Sequence, residues 1–115
     1  MQRIAVLGST GSIGQSTLSV LSQHRECYEV FALTANNDVA GLEQQCREFQ
    51  PRYAVLSDAK VAAALQLRLR NDGIRTELLS GPEGLEQVAG HSEVDTVMAA
   101  IVGAAGLAST LVAAR

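Results

Sequence analysis

Glycines at positions 8, 11 and 14 stand directly after a short apolar run, Ile4-Ala5-Val6-Leu7, and open a segment of helical period. A strand that turns into a helix through such a loop constrains the chain more than any other stretch, because each glycine meets a different steric demand. Gly8 permits a tight turn, Gly11 lets the backbone approach a phosphate closely, and Gly14 leaves room for the helix to lie against the sheet. The amides of Gly11, Ser12 and Ile13 become donors at a helix start, where the macrodipole also favours negative charge. Thr10 and Ser12 add hydroxyl donors. The loop is therefore expected to hold the pyrophosphate of a nicotinamide dinucleotide, the alternative being a tight turn with no ligand. It does not match a P-loop, since Gln15-Ser16 stands where a Lys-Ser/Thr pair would reach outer phosphates and Mg2+.

Beyond this loop, short β-branched or apolar runs alternate with helical segments, the pattern of parallel strands joined by crossover helices. Strands are expected at 4–7, 30–33, 53–56, 77–79 and 96–99. The first helix, about 12–23, carries a stripe of Ile13, Thr17, Val20, Leu21 and His24 toward the sheet, with Gln15, Ser19 and Gln23 toward water. Val39, Leu42, Cys46 and Phe49 trace the buried face of a second helix, which Pro51 ends. Asp58 is placed to cap a third, whose inner face is Val61, Leu65 and Leu69. A brief helix at 84–89 and a last one at 104–115 complete the alternation. The fold class is thus α/β, a Rossmann-type doubly wound parallel sheet whose ligands bind outside the carboxyl ends of the strands.

A chain of 115 residues accommodates one domain, and a net charge of −3 provides no footprint for nucleic acid, so a small-molecule partner is favoured. The N-terminal apolar run is too short for a signal peptide or membrane span, which makes the cytoplasm the expected location. Cys27 and Cys46 fit reduced, structural thiols better than a disulfide framework. His24 and His91 stand apart from any acid or cysteine at metal-ligand or triad spacing, and Glu43, Arg47 and Glu48 are expected on a solvated helix face. No catalytic acid-base set and no metal site emerge.

The end of the second strand bears on cofactor choice. NAD-selective sites place an acid there for the ribose hydroxyls, whereas this chain has Asn36-Asn37-Asp38. Amide donors can bind a 2′-phosphate, so the stretch leans toward NADP; equally, Asn37 or Asp38 serves simply to cap the second helix.

Three strings carry a family resemblance: Gly8-Ser9-Thr10-Gly11-Ser12-Ile13-Gly14 with Ser16-Thr17, Pro51-Arg52-Tyr53-Ala54-Val55, and Met98-Ala99-Ala100-Ile101-Val102-Gly103-Ala104-Ala105-Gly106-Leu107. Together they resemble the 1-deoxy-D-xylulose 5-phosphate reductoisomerase family over the whole chain. The resemblance implies an NADPH-dependent enzyme of non-mevalonate isoprenoid synthesis, a divalent metal (Mg2+ or Mn2+) and a homodimer. It implies NADPH contacts at Thr10, Gly11, Ser12 and Ile13, with Ala100 and Ile101 near the cofactor. Where this chain has Asn36-Asn37-Asp38, many members have Gly-Lys-Asn or similar. Members also continue past the equivalent of Arg115 into a Leu-Ala-Asn-Lys-Glu strand and a catalytic domain. The chain is accordingly expected to be the NADPH-binding part of a longer enzyme, without metal site or activity of its own. Another NADP-dependent dehydrogenase, such as a semialdehyde dehydrogenase, and a stand-alone dinucleotide sensor are the competing readings.

Overall fold

The computed structural model describes residues 2–102 and 108–114. In chain order the elements are β1 (Gln2–Leu7), α1 (Ser12–Ser22), β2 (Tyr28–Thr34), α2 (Val39–Phe49), β3 (Tyr53–Leu56), α3 (Ala59–Asn71), β4 (Glu77–Ser80), α4 (Gly81–Ala89), β5 (Thr96–Val102) and β6 (Ala108–Ala114). Among the described residues the strands form one sheet in the order β4-β3-β2-β1-β5-β6, with β1 to β5 mutually parallel.

The placement of the helices follows from this order. From β1 to β4 the chain steps steadily in one direction, so right-handed crossovers put α1, α2 and α3 on one face. The return from β4 to β5 on the far side of β1 reverses the step, and the same handedness sends α4 to the opposite face. Each face then has its own core. Ile4, Val6, Leu33 and Leu56 meet Leu18 and Leu21 of α1, Leu42 and Cys46 of α2, and Leu65 and Leu69 of α3. On the other side Ala5, Phe31 and Val55 pack with Val88 of α4 and Val94. Strands covered on both sides explain the near-continuous apolar runs of β1 and β2.

Caps and sterics fix the helix ends and faces. Asp58 Oδ1 accepts from the amides of Lys60 at 2.8 Å and Val61 at 3.1 Å, as its position predicts. α2 ends at Gln50 in the left-handed region (φ 47°), just before Pro51. α1 lies rotated from the expected stripe: Gly14, Leu18 and Leu21 are buried, Val20 is 57 % exposed and His24 is exposed. Gly14 sets this rotation. A Cβ there would sit 2.7 Å from both C and Cα of Ser9 and closer still to the Gly8 carbonyl oxygen. Only a hydrogen can face the sheet at that point, and the residues four and seven positions on follow it inward.

The expected helix over residues 104–115 differs from the structure. Residues 104–107 and 115 lie outside the described residues, and Ala108–Ala114 form β6, antiparallel to β5 from Val102↔Ala108 to Thr96↔Ala114. The alanine content favours a helix locally, but β5 presents a row of backbone donors and acceptors on its outer edge, and pairing them overrides the propensity. Among the described residues no helix is long and apolar enough to cross a membrane.

Candidate functional site

Sheet register brings the residues singled out from the sequence to one edge. Leu7 pairs with Thr34 of β2 and with Ala99 of β5, so β1 and β2 end together and β5 runs three residues past them. Gly8 to Gly14 leave β1 there, Asn36, Asn37 and Asp38 leave β2, and Ala100 and Ile101 continue β5. In this sheet the order reverses at β1, and the crevice outside the carboxyl ends at such a switch point is where open α/β sheets bind ligands.

Within the loop the glycines separate into two kinds. Gly8 has φ 75°, a backbone conformation that side chains disfavour, and Gly14 has no room for a Cβ; both are demanded by the fold. Gly11 is different. Its backbone (φ −75°, ψ 173°) suits any residue, it is exposed, and an added Cβ would meet the Gly8 carbonyl oxygen at an ordinary 3.7 Å. The folded chain leaves open space over Gly11, the space a pyrophosphate needs for close approach to the backbone.

Gly11 is also the N-cap of α1, with no side-chain cap and no acid in the first turn. α2 and α3 contrast with it, since Asp38 and Asp58 cap them. The N-terminus of α1 thus keeps its partial positive charge for an anion. Ser12 is exposed beside it, and Thr10 is half-buried with its carbonyl accepting from Gln15 Nε2 at 2.8 Å.

After β2, Asp38 is the helix cap: its Oδ1 accepts from the Gly41 amide at 2.9 Å. Asn36 and Asn37 are exposed. Ser57, at the end of β3, donates its hydroxyl to the Asn36 carbonyl at 2.7 Å and to Asn37 Oδ1 at 3.3 Å. With its oxygen so engaged, the Asn37 amide keeps two N–H donors to offer.

Several residues that hold the site escaped the sequence reading. Thr34 accepts the Gly8 amide on Oγ1 at 3.0 Å and the Ser9 amide on its carbonyl at 2.8 Å, which ties the loop to β2. Ser9 is fully buried and exchanges two hydrogen bonds with Gln45 of α2. No local spacing signals a partner 36 residues away. Glu43, expected on a solvated face, is instead gripped by Arg47 Nη2 at 2.8 Å and by Arg68 Nη2 of α3 at 3.0 Å. The Arg47 hydrogen bond, helped by Arg68, holds its carboxyl below the usual range. Burial pushes the Cys46 thiol up to about 12, whereas Cys27 is exposed. His91 lies against Phe31 and Tyr53, ring centroids 5.0 and 5.5 Å away, and its Nδ1 accepts from the Glu93 amide. Among the described residues no group of three His, Cys, Asp or Glu side chains is arranged to hold a metal ion.

A parallel sheet with a reversal at its first strand, a glycine loop between that strand and an uncapped helix, and donors at the end of the second strand define a Rossmann-type α/β unit. The family model for 1-deoxy-D-xylulose 5-phosphate reductoisomerase matches residues 4–115, and the chain belongs to that family. It is 55 % identical over 115 residues to the 1-deoxy-D-xylulose 5-phosphate reductoisomerase of Aromatoleum aromaticum, covering all of this chain and 28 % of that protein. To the enzyme of Methylococcus capsulatus it is 57 % identical over 116 residues, covering all of this chain and 29 % of the relative. Among solved structures, DOX-P reductoisomerase in complex with NADPH, fosmidomycin and magnesium superposes with a TM-score of 0.84 at 45 % identity, over 93 % of this chain and 26 % of that one. The Zymomonas mobilis reductoisomerase in complex with NADPH gives 0.78 at 36 % identity, over 91 % and 27 %. The chain therefore spans a little over a quarter of the length of the curated relatives it matches.

Proposed function

We propose that this chain is the NADPH-binding part of a longer 1-deoxy-D-xylulose 5-phosphate reductoisomerase, converting that sugar phosphate to 2-C-methyl-D-erythritol 4-phosphate. The observation that carries the proposal is Gly11, a glycine for which the fold has no need, open to solvent at the start of an uncapped helix. Here Gly8, Gly11 and Gly14 shape the loop, and the amides of Gly11, Ser12 and Ile13, with the Thr10 and Ser12 hydroxyls, bind the pyrophosphate. Asn36 and Asn37 donate to the 2′-phosphate, and Asp38 holds the loop that carries them by capping α2. Ala100 and Ile101, at the same sheet edge, border the cofactor. Bound NADPH supplies a hydride to the aldehyde formed by rearrangement of the substrate. The chain's own residues bind and orient the dinucleotide, and no acid-base step is assigned to them.

A divalent metal, homodimeric assembly and a cytoplasmic location belong to the same proposal. The described residues do not fit a metal, so its ligands are sought in the three quarters of the relatives' length that this chain does not span. Calorimetric titration of NADPH into the complete polypeptide and its Gly11→Val variant tests the site. Micromolar or tighter binding that the variant loses supports it; equal affinity in the two proteins removes the loop from the cofactor site.

A further inference from the structure

We infer that Gln45 is a positioning residue for cofactor binding, a clasp that sets the glycine loop relative to the loop after β2; the inference rests on the proposed NADPH function. Gln45 is on α2, 36 residues from its partner. Its Nε2 donates to the Ser9 carbonyl at 2.8 Å, and its Oε1 accepts the Ser9 hydroxyl at 2.7 Å. Ser9 is fully buried, so without Gln45 its carbonyl would lose the side-chain partner that reaches it from α2.

The surroundings make this contact matter. A groove of about 350 Å³ lies beside Gln45, lined by Thr10, Gln15 and Leu18 from one side and by Gly41, Gln44 and Phe49 from the other. Beside that groove the Gln45 carboxamide bridges the loop to α2, adding to the hydrogen bonds by which Thr34 ties the loop to β2. α2 begins at Asp38, which ends the Asn36-Asn37-Asp38 stretch. A rigid helix thus joins Gln45 to the donors for the 2′-phosphate, while Ser9 joins it to the amides for the pyrophosphate. The clasp holds both sets of donors at one fixed separation, so the ordering cost is met on folding rather than on binding.

The test uses the complete polypeptide with Gln45→Met, which keeps side-chain length without hydrogen bonds, and Gln45→Glu, which keeps the acceptor but sets a carboxylate against the Ser9 carbonyl. With NADPH as the probe, both variants should raise Kd and KM by about tenfold while kcat stays within about twofold. Ser9→Ala should add little in the Gln45→Met background, because the two residues act as one unit. In Gln45→Glu the affinity relative to wild type should recover as the pH falls and the carboxyl regains a proton to donate. If Gln45→Met fails to fold, Gln45→Glu decides. A lower Tm with unchanged NADPH Kd in wild-type-like protein overturns the positioning role and leaves the cofactor site intact. A wild-type polypeptide that binds no NADPH overturns the proposed function and this role together.

Discussion

The two glycines that flank the start of α1 should fail in opposite ways. At Gly14 an added Cβ would lie 2.7 Å from two backbone atoms of Ser9, about 1 Å inside the usual carbon-carbon contact of about 3.5–4.0 Å. Backbone cannot rotate away as a side-chain tip would, so the strain belongs near the upper part of the overpacking range, about 3 kcal/mol. Alanine's better helix propensity offsets about 1 kcal/mol. The Gly8 carbonyl oxygen lies closer still, so Gly14→Ala should destabilise by at least about 2 kcal/mol, a large share of a typical margin of about 5–15 kcal/mol. At Gly11 the same methyl meets nothing nearer than 3.7 Å, and φ −75° is unstrained. Alanine is a poorer N-cap than glycine but loses less backbone entropy, so Gly11→Ala should change stability by less than about 1 kcal/mol. Its methyl projects into the open space over the loop, and NADPH affinity should drop at least about tenfold. Urea unfolding and calorimetry on both variants separate the effects. A Gly14→Ala protein as stable as wild type, or a Gly11→Ala protein that unfolds easily yet binds normally, would refute the division of the loop into structural and ligand-facing glycines.

Three further outcomes follow from other parts of the structure. Asn37→Lys should tighten NADPH by on the order of 1 kcal/mol with little change for NADH, and added salt should erode the gain; equal improvement for both cofactors would place this residue away from the 2′-phosphate. Because Arg47 and Arg68 hold the Glu43 carboxyl below 4.5, the stability it contributes is present above that pH and is lost as the pH falls through the folded-state value. Glu43→Gln should lower the urea midpoint at pH 7, with the difference from wild type shrinking in acid; a pH-independent difference would show that the charge plays no part. In the folded protein a thiol reagent should label exposed Cys27 quickly and spare Cys46, whose thiol is buried and held up to about 12, until denaturant is added. Equal labelling rates, read by mass spectrometry, would contradict that burial.

Much of the fold was legible because it rests on local signals. The alternation of apolar runs and helical periods located β1 to β5, Asp58 marked the start of α3, and the glycine loop marked the turn from β1 into α1. Misreadings arose where a distant contact decided the outcome. Apolar spacing alone allowed Val20 and His24 a buried face, but the clash at Gly14 turns α1 so that Leu18 takes that place. Glu43 has the surroundings of a solvated residue in sequence and is captured by an arginine from the neighbouring helix. Residues 108–114 have helical composition and pair as a strand because an open sheet edge adjoins them. The site divides in the same way. Gly8, Gly11 and Gly14 carry their geometry in their own identity, whereas Ser9, Thr34, Gln45 and Ser57 act through hydrogen bonds that span 20 to 36 residues.

A crystal structure of the complete polypeptide with NADPH bears most directly on the cofactor site. Its pyrophosphate oxygens should lie within about 3 Å of the amides of Gly11, Ser12 and Ile13, with the 2′-phosphate facing Asn36 and Asn37. A dinucleotide bound with its pyrophosphate away from the start of α1 would contradict the assignment of this loop.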